Sequence, residues 1–181
     1  MNELRKKLRE ETSCAHKSLD IALSCYDLTS RNGLANYLNV HLLARDLLAK
    51  THSGHEIEID HSDSIAAIRS DLTKLGVSVV EDLHWMPKSY LHPVGLTYVI
   101  AGSSLGSKVL YKKWAQSTDD SVILAGEFMA LAKDNSDWLK FLEYIDATSF
   151  SDIETDDIVM SANQCFTLYK TAAQQVDRNI R

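Results

Sequence analysis

The sequence is poor in the residues that break helices and in those that cross-link chains. Its 181 residues include two prolines, seven glycines and three cysteines. The scattered cysteines (Cys14, Cys25 and Cys165) are too few for a disulfide framework, and they indicate a reducing compartment. Strand-like alternation is scarce, whereas apolar residues recur at helical spacing along most of the chain. We therefore predict an all-α protein.

Long hydrophobic runs and an excess of positive charge are also missing. No stretch of about 18 apolar residues occurs, and the basic first residues are not followed by the apolar segment of a secretory signal. We therefore expect a cytoplasmic protein that does not bind membranes. The formal net charge of −6 argues against nucleic acid as a partner. The basic residues among positions 1–20 fit either a solvated helix face or a docking surface for an acidic protein.

Apolar periodicity and capping residues predict the order of the helices. The expected helices cover residues 2–23, 34–50, 62–76, 95–114, 120–133 and 136–147, and a last one starts at 151 and continues through 172. Residues 52–62 are predicted to form a loop, and residues 77–93 a short helix and loop. Ser151 and Glu154 form a capping box, and Gly76 suits the left-handed position after a helix end. Because no repeat or linker interrupts this series, residues 1–181 are expected to form a single domain.

The segment GLTYVIAGSSLGSKVL, residues 95–110, has helical periodicity but contains three glycines. Each glycine costs a helix interior roughly 1 kcal/mol relative to alanine. Gly102 and Gly106 are one turn apart, and Gly95 and Tyr98 share their side. Such a stripe allows the close approach of either a neighbouring helix or a flat ligand. The spacing alone leaves both interpretations open.

A histidine on the first predicted helix is a second candidate. His16 is followed at i+4 by Asp20, whose carboxylate is placed to accept a hydrogen bond from one imidazole nitrogen. The other nitrogen would then be free to bind iron, as it is where carboxylates orient metal-ligating histidines. A lone helical histidine is more commonly exposed or structural, so this pair by itself also leaves both interpretations open.

Taken together, these segments resemble haem oxygenase, and within that family the short soluble bacterial enzymes, including those associated with bacteriophytochromes or with iron acquisition. The similar segments are ETSCAHKSLD (11–20), NYLNVHLL (36–43), RSDLTKLG (69–76), TYVIAGSSLGSKVL (97–110) and ANQCFTLYKTA (162–172). Their order along the chain matches that of the family. The resemblance implies a helical bundle that holds haem between its first helix and a kinked distal helix bearing glycines.

The resemblance also assigns roles to individual residues. It implies that His16 is the proximal ligand of the haem iron and that Asp20 orients its imidazole. It places Gly102, Ser103 and Gly106 on the catalytic distal side, with serine at the position where animal-type enzymes have aspartate. Five further residues are expected to bind haem, either at its propionates or along the pocket wall: Arg9, Thr12, Tyr98, Lys140 and Phe166.

The implied activity is the opening of the haem ring to biliverdin with release of CO and ferrous iron. This reaction needs O2 and an external electron donor, for which the resemblance suggests ferredoxin or a flavin- or NADPH-dependent reductase. A bacteriophytochrome would be an acceptor of biliverdin. Two alternatives stay open: a non-enzymatic haem-binding or haem-buffering protein of the same fold, and a thiaminase-like hydrolase of similar architecture. The hydrolase would need a catalytic cysteine facing the pocket.

Overall fold

The computed structural model describes residues 2–51, 56–81, 83–88 and 90–179. Within these ranges the chain forms nine helices and no strand, which confirms the all-α prediction. The helices are α1 (Glu3–Glu11), α2 (Ser13–Ser24), α3 (Arg31–Thr51), α4 (Ser62–Leu75), α5 (Pro93–Trp114), α6 (Asp120–Leu124), α7 (Glu127–Ala132), α8 (Ser136–Ala147) and α9 (Asp152–Asn179).

The first predicted helix is divided into α1 and α2 at Thr12. The Thr12 hydroxyl donates a hydrogen bond of 2.7 Å to the carbonyl of Leu8, and its backbone N–H donates to the same oxygen at 3.0 Å. Threonine side chains that bond to the preceding turn compete with the regular helix pattern and bend it. The prediction of one continuous helix over 2–23 was therefore wrong at this residue.

The predicted helix over 120–133 is likewise two helices, α6 and α7. The Trp114 indole packs against Gly126, where an added Cβ would lie 2.4 Å from Cζ2 of that ring. The Asp71 carboxylate accepts hydrogen bonds from the backbone N–H groups of Glu127 and Phe128 at 3.1 and 2.9 Å, which caps the first turn of α7. Contacts from α4 and α5 thus separate α6 from α7, although the apolar periodicity of residues 120–133 is continuous.

Two predicted helix ends are confirmed. The Ser151 backbone N–H donates to the Glu154 carboxylate at 2.8 Å and starts α9, and Gly76 has φ of 61° after the end of α4. The described parts of 77–92 are non-helical, so the short helix expected there was wrong. Residues 52–55 of the predicted loop lie outside the described residues. Within the described residues, no helix combines the length and the hydropathy needed to cross a bilayer.

The longest helix, α9, packs against α2, α3 and α5 and contributes to a shared apolar core. The contact of α5 with α9 depends on Gly95. An added Cβ there would lie 2.2 Å from the carbonyl oxygen of Ile158 and 2.9 Å from the backbone nitrogen of Ala162. At this one glycine, therefore, the stripe of small residues serves helix packing, and it fixes the start of α5 beside α9.

Gly95→Ala is expected to destabilise the protein by about 1–3 kcal/mol, because the added methyl group collides with backbone that cannot rotate away. Urea unfolding monitored by circular dichroism measures this loss. Gly106→Ala is the matched control on the same helix, since an added Cβ there meets no described atom within 4 Å. The control should gain roughly 0.5–1 kcal/mol from the better helix propensity of alanine. Equal stability of the two variants would contradict the assigned packing role.

Candidate functional site

A cavity of about 390 Å³ opens between α2 and α5 and is closed by side chains of four further helices. This volume lies within the range of roughly 300–1,000 Å³ typical of small-molecule sites. Apolar and aromatic side chains form most of its wall. The lining residues from α2 and α5 include His16, Leu19, Asp20, Leu23, Tyr98, Val99, Ile100, Gly102, Ser103 and Gly106, and the other helices add Tyr37, His41, Phe128, Trp138, Phe166 and Tyr169.

His16 lies at this cavity with one ring nitrogen already engaged. Its Nδ1 is 3.1 Å from Oδ2 of Asp20. Its ring lies nearly perpendicular to that of Phe166, with 5.4 Å between the ring centroids and an interplanar angle of 88°. The side chain remains 60% exposed. When Nδ1–H donates a hydrogen bond to the Asp20 carboxylate, Nε2 of the neutral imidazole carries the free lone pair that a metal ion requires.

Two glycines of α5 leave the backbone open toward the cavity. An added Cβ at Gly102 would meet the Trp138 ring at 3.5 Å, an ordinary contact, and one at Gly106 would meet no described atom within 4 Å. Packing within the protein therefore does not require glycine at either position. Both residues line the cavity. Both interpretations of the glycine stripe therefore apply, each to a different part of α5. Gly95 allows the close approach of α9, whereas Gly102 and Gly106 face the cavity.

The serines of α5 bond to their own helix. The Ser103 hydroxyl donates to the Ile100 carbonyl at 2.7 Å, and the Ser107 hydroxyl donates to the Ser103 carbonyl at 2.9 Å. Ser103 and Ser107 both line the cavity. Because each hydroxyl proton is used within the helix, the oxygens present only acceptor lone pairs to a ligand.

Of the ten predicted site residues, seven line the cavity: His16, Asp20, Tyr98, Gly102, Ser103, Gly106 and Phe166. The other three lie elsewhere. Arg9 is exposed on α1, and buried Thr12 forms the junction with α2. Lys140 pairs with Asp137 at 3.2 Å, and 70% of its side chain is exposed. The cavity wall therefore contains none of the lysine or arginine side chains expected to bind propionates.

His41 was missed as a site residue. It is only 6% exposed, and its ring centroid lies 4.5 Å from that of Tyr37, 5.1 Å from Phe128 and 5.4 Å from Tyr169. Burial, reinforced by the charge of Arg45, lowers the pKa of His41 to about 3, so the ring is neutral at physiological pH. The sequence feature that could have indicated His41 is its spacing of four residues from Arg45, on the otherwise apolar face of α3.

The cysteines do not provide a nucleophile for this cavity. Cys14 and Cys25 are exposed and Cys165 is buried, and none of the three lines the cavity. Burial raises the pKa of the Cys165 thiol to about 12, which keeps it protonated and unreactive. The thiaminase-like alternative required a cysteine facing the pocket, and the described residues offer none.

Comparison with known proteins gives a match at the level of structure. No protein-family model and no curated protein matches the sequence. The solved structure of NO- and CO-bound haem oxygenase from Neisseria meningitidis matches with a TM-score of 0.70 and 20% sequence identity. The alignment covers 96% of this chain and 91% of that one. The chain therefore has a fold of the haem oxygenase type.

Proposed function

We propose that the protein is a haem oxygenase, which binds haem in the cavity between α2 and α5 and opens its ring to biliverdin, CO and ferrous iron. One observation carries this proposal. A histidine whose Nδ1 is held by a carboxylate and two glycines with bare backbone line the same cavity, although they come from helices about 80 residues apart in sequence. The fold, shared with a known haem oxygenase, supports it.

The iron and the porphyrin ring of haem find suitable residues in the cavity, whereas no described lysine or arginine side chain lines it for the propionates. Nε2 of His16 is the candidate iron ligand, and the Phe166 ring, which lies nearly perpendicular to the imidazole, restricts its rotation. The backbone at Gly102 and Gly106 would contact one face of the porphyrin, because no side chain intervenes. Apolar side chains such as Val99 and Ile100 would exclude water from the ring. Haem, when bound, supplies the iron at which O2 is reduced and is itself the substrate that is cleaved.

Electrons for the reaction would come from an external donor, such as ferredoxin or a flavin- or NADPH-dependent reductase. The exposed basic residues of α1 and α2, which include Lys6, Arg9 and Lys17, are suited to dock an acidic donor. A bacteriophytochrome is a candidate acceptor for the biliverdin product. These partners are inferred from the family resemblance.

A second candidate function is non-enzymatic haem binding. The observation in its favour is that the hydroxyl protons of Ser103 and Ser107 are both donated to backbone carbonyls of α5. In that arrangement neither hydroxyl donates a hydrogen bond into the cavity. Haem binding without turnover would then result.

A hemin titration followed by reduction separates these functions. The purified protein is expected to give a Soret band that saturates at one hemin per chain. Addition of ascorbate, or of ferredoxin with its reductase, in air should bleach this band and produce biliverdin absorption and CO. A stable spectrum under reducing conditions would refute the enzyme and favour the haem-binding protein. Failure to bind hemin would refute both.

A further inference from the structure

A second cavity, of about 240 Å³, lies beside the one between α2 and α5 and is distinct from it. The two cavities have four wall residues in common, namely Ile100, Ser103, Phe128 and Ala132. The second cavity is also lined by four carboxylates, from Asp60, Asp63, Asp134 and Asp137, and we call it the acidic cleft. The carboxylates come as two pairs, one beside the start of α4 and the other beside the start of α8.

Arg45 is a buried cation on the wall of the acidic cleft. It is 7% exposed, and its Cζ lies 5.6 Å from the centroid of the Phe128 ring, which forms part of the same wall. Its Nη1 is 3.1 Å from the Ser64 hydroxyl and 3.3 Å from Nδ1 of His61, whereas its Nε has no hydrogen-bond partner among the described residues. No described carboxylate lies within 4.0 Å of the guanidinium. Because buried charges are normally paired, Arg45 lacks an anionic partner.

The other polar side chains around the acidic cleft offer acceptors to a ligand. The Ser103 and Ser104 hydroxyls each donate to a backbone carbonyl of α5 at 2.7 Å, so only their lone pairs are free. Hydrogen bonds from a nearby serine lower the pKa of Asp60, and likewise that of Asp134, so both carboxyl groups are ionised at neutral pH. A ligand that satisfies this cleft therefore carries positively charged N–H donors and one anionic group for Arg45.

These features disfavour the simplest ions as ligands of the acidic cleft. Within the described part of the chain, no three side chains of the metal-binding types lie close enough together to hold a metal ion, and the Arg45 guanidinium repels a cation placed beside it. A simple anion is disfavoured because four aspartates against one arginine give the cleft a formal charge of −3. A zwitterion with an additional cationic group supplies a counter-charge to both signs.

We propose that the acidic cleft binds a basic amino acid, with the ligand carboxylate on the Arg45 guanidinium and the ligand cations on the two pairs of aspartates. A guanidinium binds a carboxylate through two parallel charge-assisted hydrogen bonds, which makes arginine suited to this role. The cleft is slightly smaller than the roughly 300–1,000 Å³ of typical small-molecule sites, which suits a ligand of few atoms. This site is additional to the proposed haem oxygenase activity and does not depend on it.

An NMR titration of the ¹⁵N-labelled, haem-free protein tests the proposal without any substitution. L-Arginine is expected to shift the amide signals of cleft residues such as Ser64, Ala101 and Ser104, with saturation at one site and a Kd of about 1 mM or lower. Agmatine lacks the carboxylate but keeps both cationic groups, so it should bind about 10–100-fold more weakly. Agmatine binding as tightly as L-arginine would overturn the proposal, because it would show cation attraction alone. Absence of saturable shifts up to about 10 mM L-arginine would also overturn it.

Two substitutions test the residues that are assigned to the ligand cations. Asp63→Asn removes one carboxylate from the first turn of α4 and is expected to weaken L-arginine binding about two- to fivefold, as for an exposed ion pair. Asp152→Asn is the matched control, since it makes the same change in the first turn of α9 and outside the cleft. It should retain the wild-type affinity. Equal affinities of the two variants would overturn the role of the aspartates.

Arg45→Lys tests the contact with the ligand carboxylate and retains the positive charge. Lysine cannot form the paired hydrogen bonds, so the preference for L-arginine over agmatine should fall at least about threefold. Thermal unfolding verifies that the variant is folded, and the comparison of ligands in the wild type stands if it is not. An unchanged preference in the folded variant would overturn the contact.

A further ligand distinguishes a free amino acid from the C-terminal residue of a partner protein, which has the same carboxylate and side chain. Nα-Acetyl-L-arginine lacks the α-ammonium group, as such a residue does, and it is expected to bind at least about threefold more weakly than L-arginine. Equal or tighter binding would overturn the free amino acid as the ligand in favour of a protein C-terminus. All these measurements use haem-free protein, so the hemin titration decides the proposed function separately.

Discussion

His16→Ala is expected to abolish biliverdin formation while leaving the fold intact. The imidazole is largely exposed, and its side-chain interactions with described residues are the pair with Asp20 and the ring contact with Phe166. Its removal should therefore change the free energy of unfolding by no more than about 0.5 kcal/mol. Loss of the iron ligand should cost more activity than the roughly 10–100-fold loss caused by removing an outer partner of such a ligand. Single-turnover degradation of bound hemin, followed by absorbance, measures the effect.

Two further variants separate iron ligation from a general loss of histidine. His84→Ala removes an exposed histidine that does not line the cavity, and it should behave as the wild type. Asp20→Ala removes only the partner of Nδ1, so it should lower activity by about 10–100-fold and leave hemin binding detectable. Free imidazole should restore a Soret band of the wild-type position to His16→Ala. Wild-type turnover in His16→Ala would exclude the ligand assignment.

Gly106→Leu is expected to weaken hemin binding without unfolding the protein. A side chain at this position meets no described atom within 4 Å of its Cβ, and leucine is a better helix former than glycine by roughly 0.8 kcal/mol. The variant should therefore be at least as stable as the wild type. Its side chain would occupy space against which the porphyrin is proposed to lie, and we expect hemin affinity to fall at least about tenfold, or 1.4 kcal/mol.

The control for this variant is Lys108→Leu, which places the same side chain on an exposed position of the same helix that does not line the cavity. Its hemin affinity should equal that of the wild type. Thermal unfolding of both haem-free variants verifies that any loss of binding is local. Unchanged hemin affinity in Gly106→Leu would show that the glycine does not face bound haem.

Local features of the helices were predictable from the sequence because their causes are local. The pairing of His16 with Asp20 follows from the i, i+4 spacing, and the Ser151 capping box follows from residues three apart. The divisions at Thr12 and Gly126 were not predicted. At Gly126 the cause is an indole from α5 and a carboxylate from α4, which periodicity does not reveal.

The prediction of which residues form the site depended more on the family resemblance than on the spacing of residues. Spacing could not decide whether the glycines face a helix or a ligand, and the structure shows that Gly95 does the first while Gly106 borders open space. Arg9 and Lys140 are not among the residues that line the cavity, and their contact with the propionates stays a prediction. His41 was overlooked because a histidine among leucines resembles a core residue, and the rings that enclose it come from three helices.

The crystal structure of the hemin-bound protein tests the central claim most directly. We predict iron coordinated by Nε2 of His16, with the porphyrin in van der Waals contact with the backbone of Gly102 and Gly106. Hemin bound outside the cavity between α2 and α5, or iron ligated by a different side chain, would contradict the account.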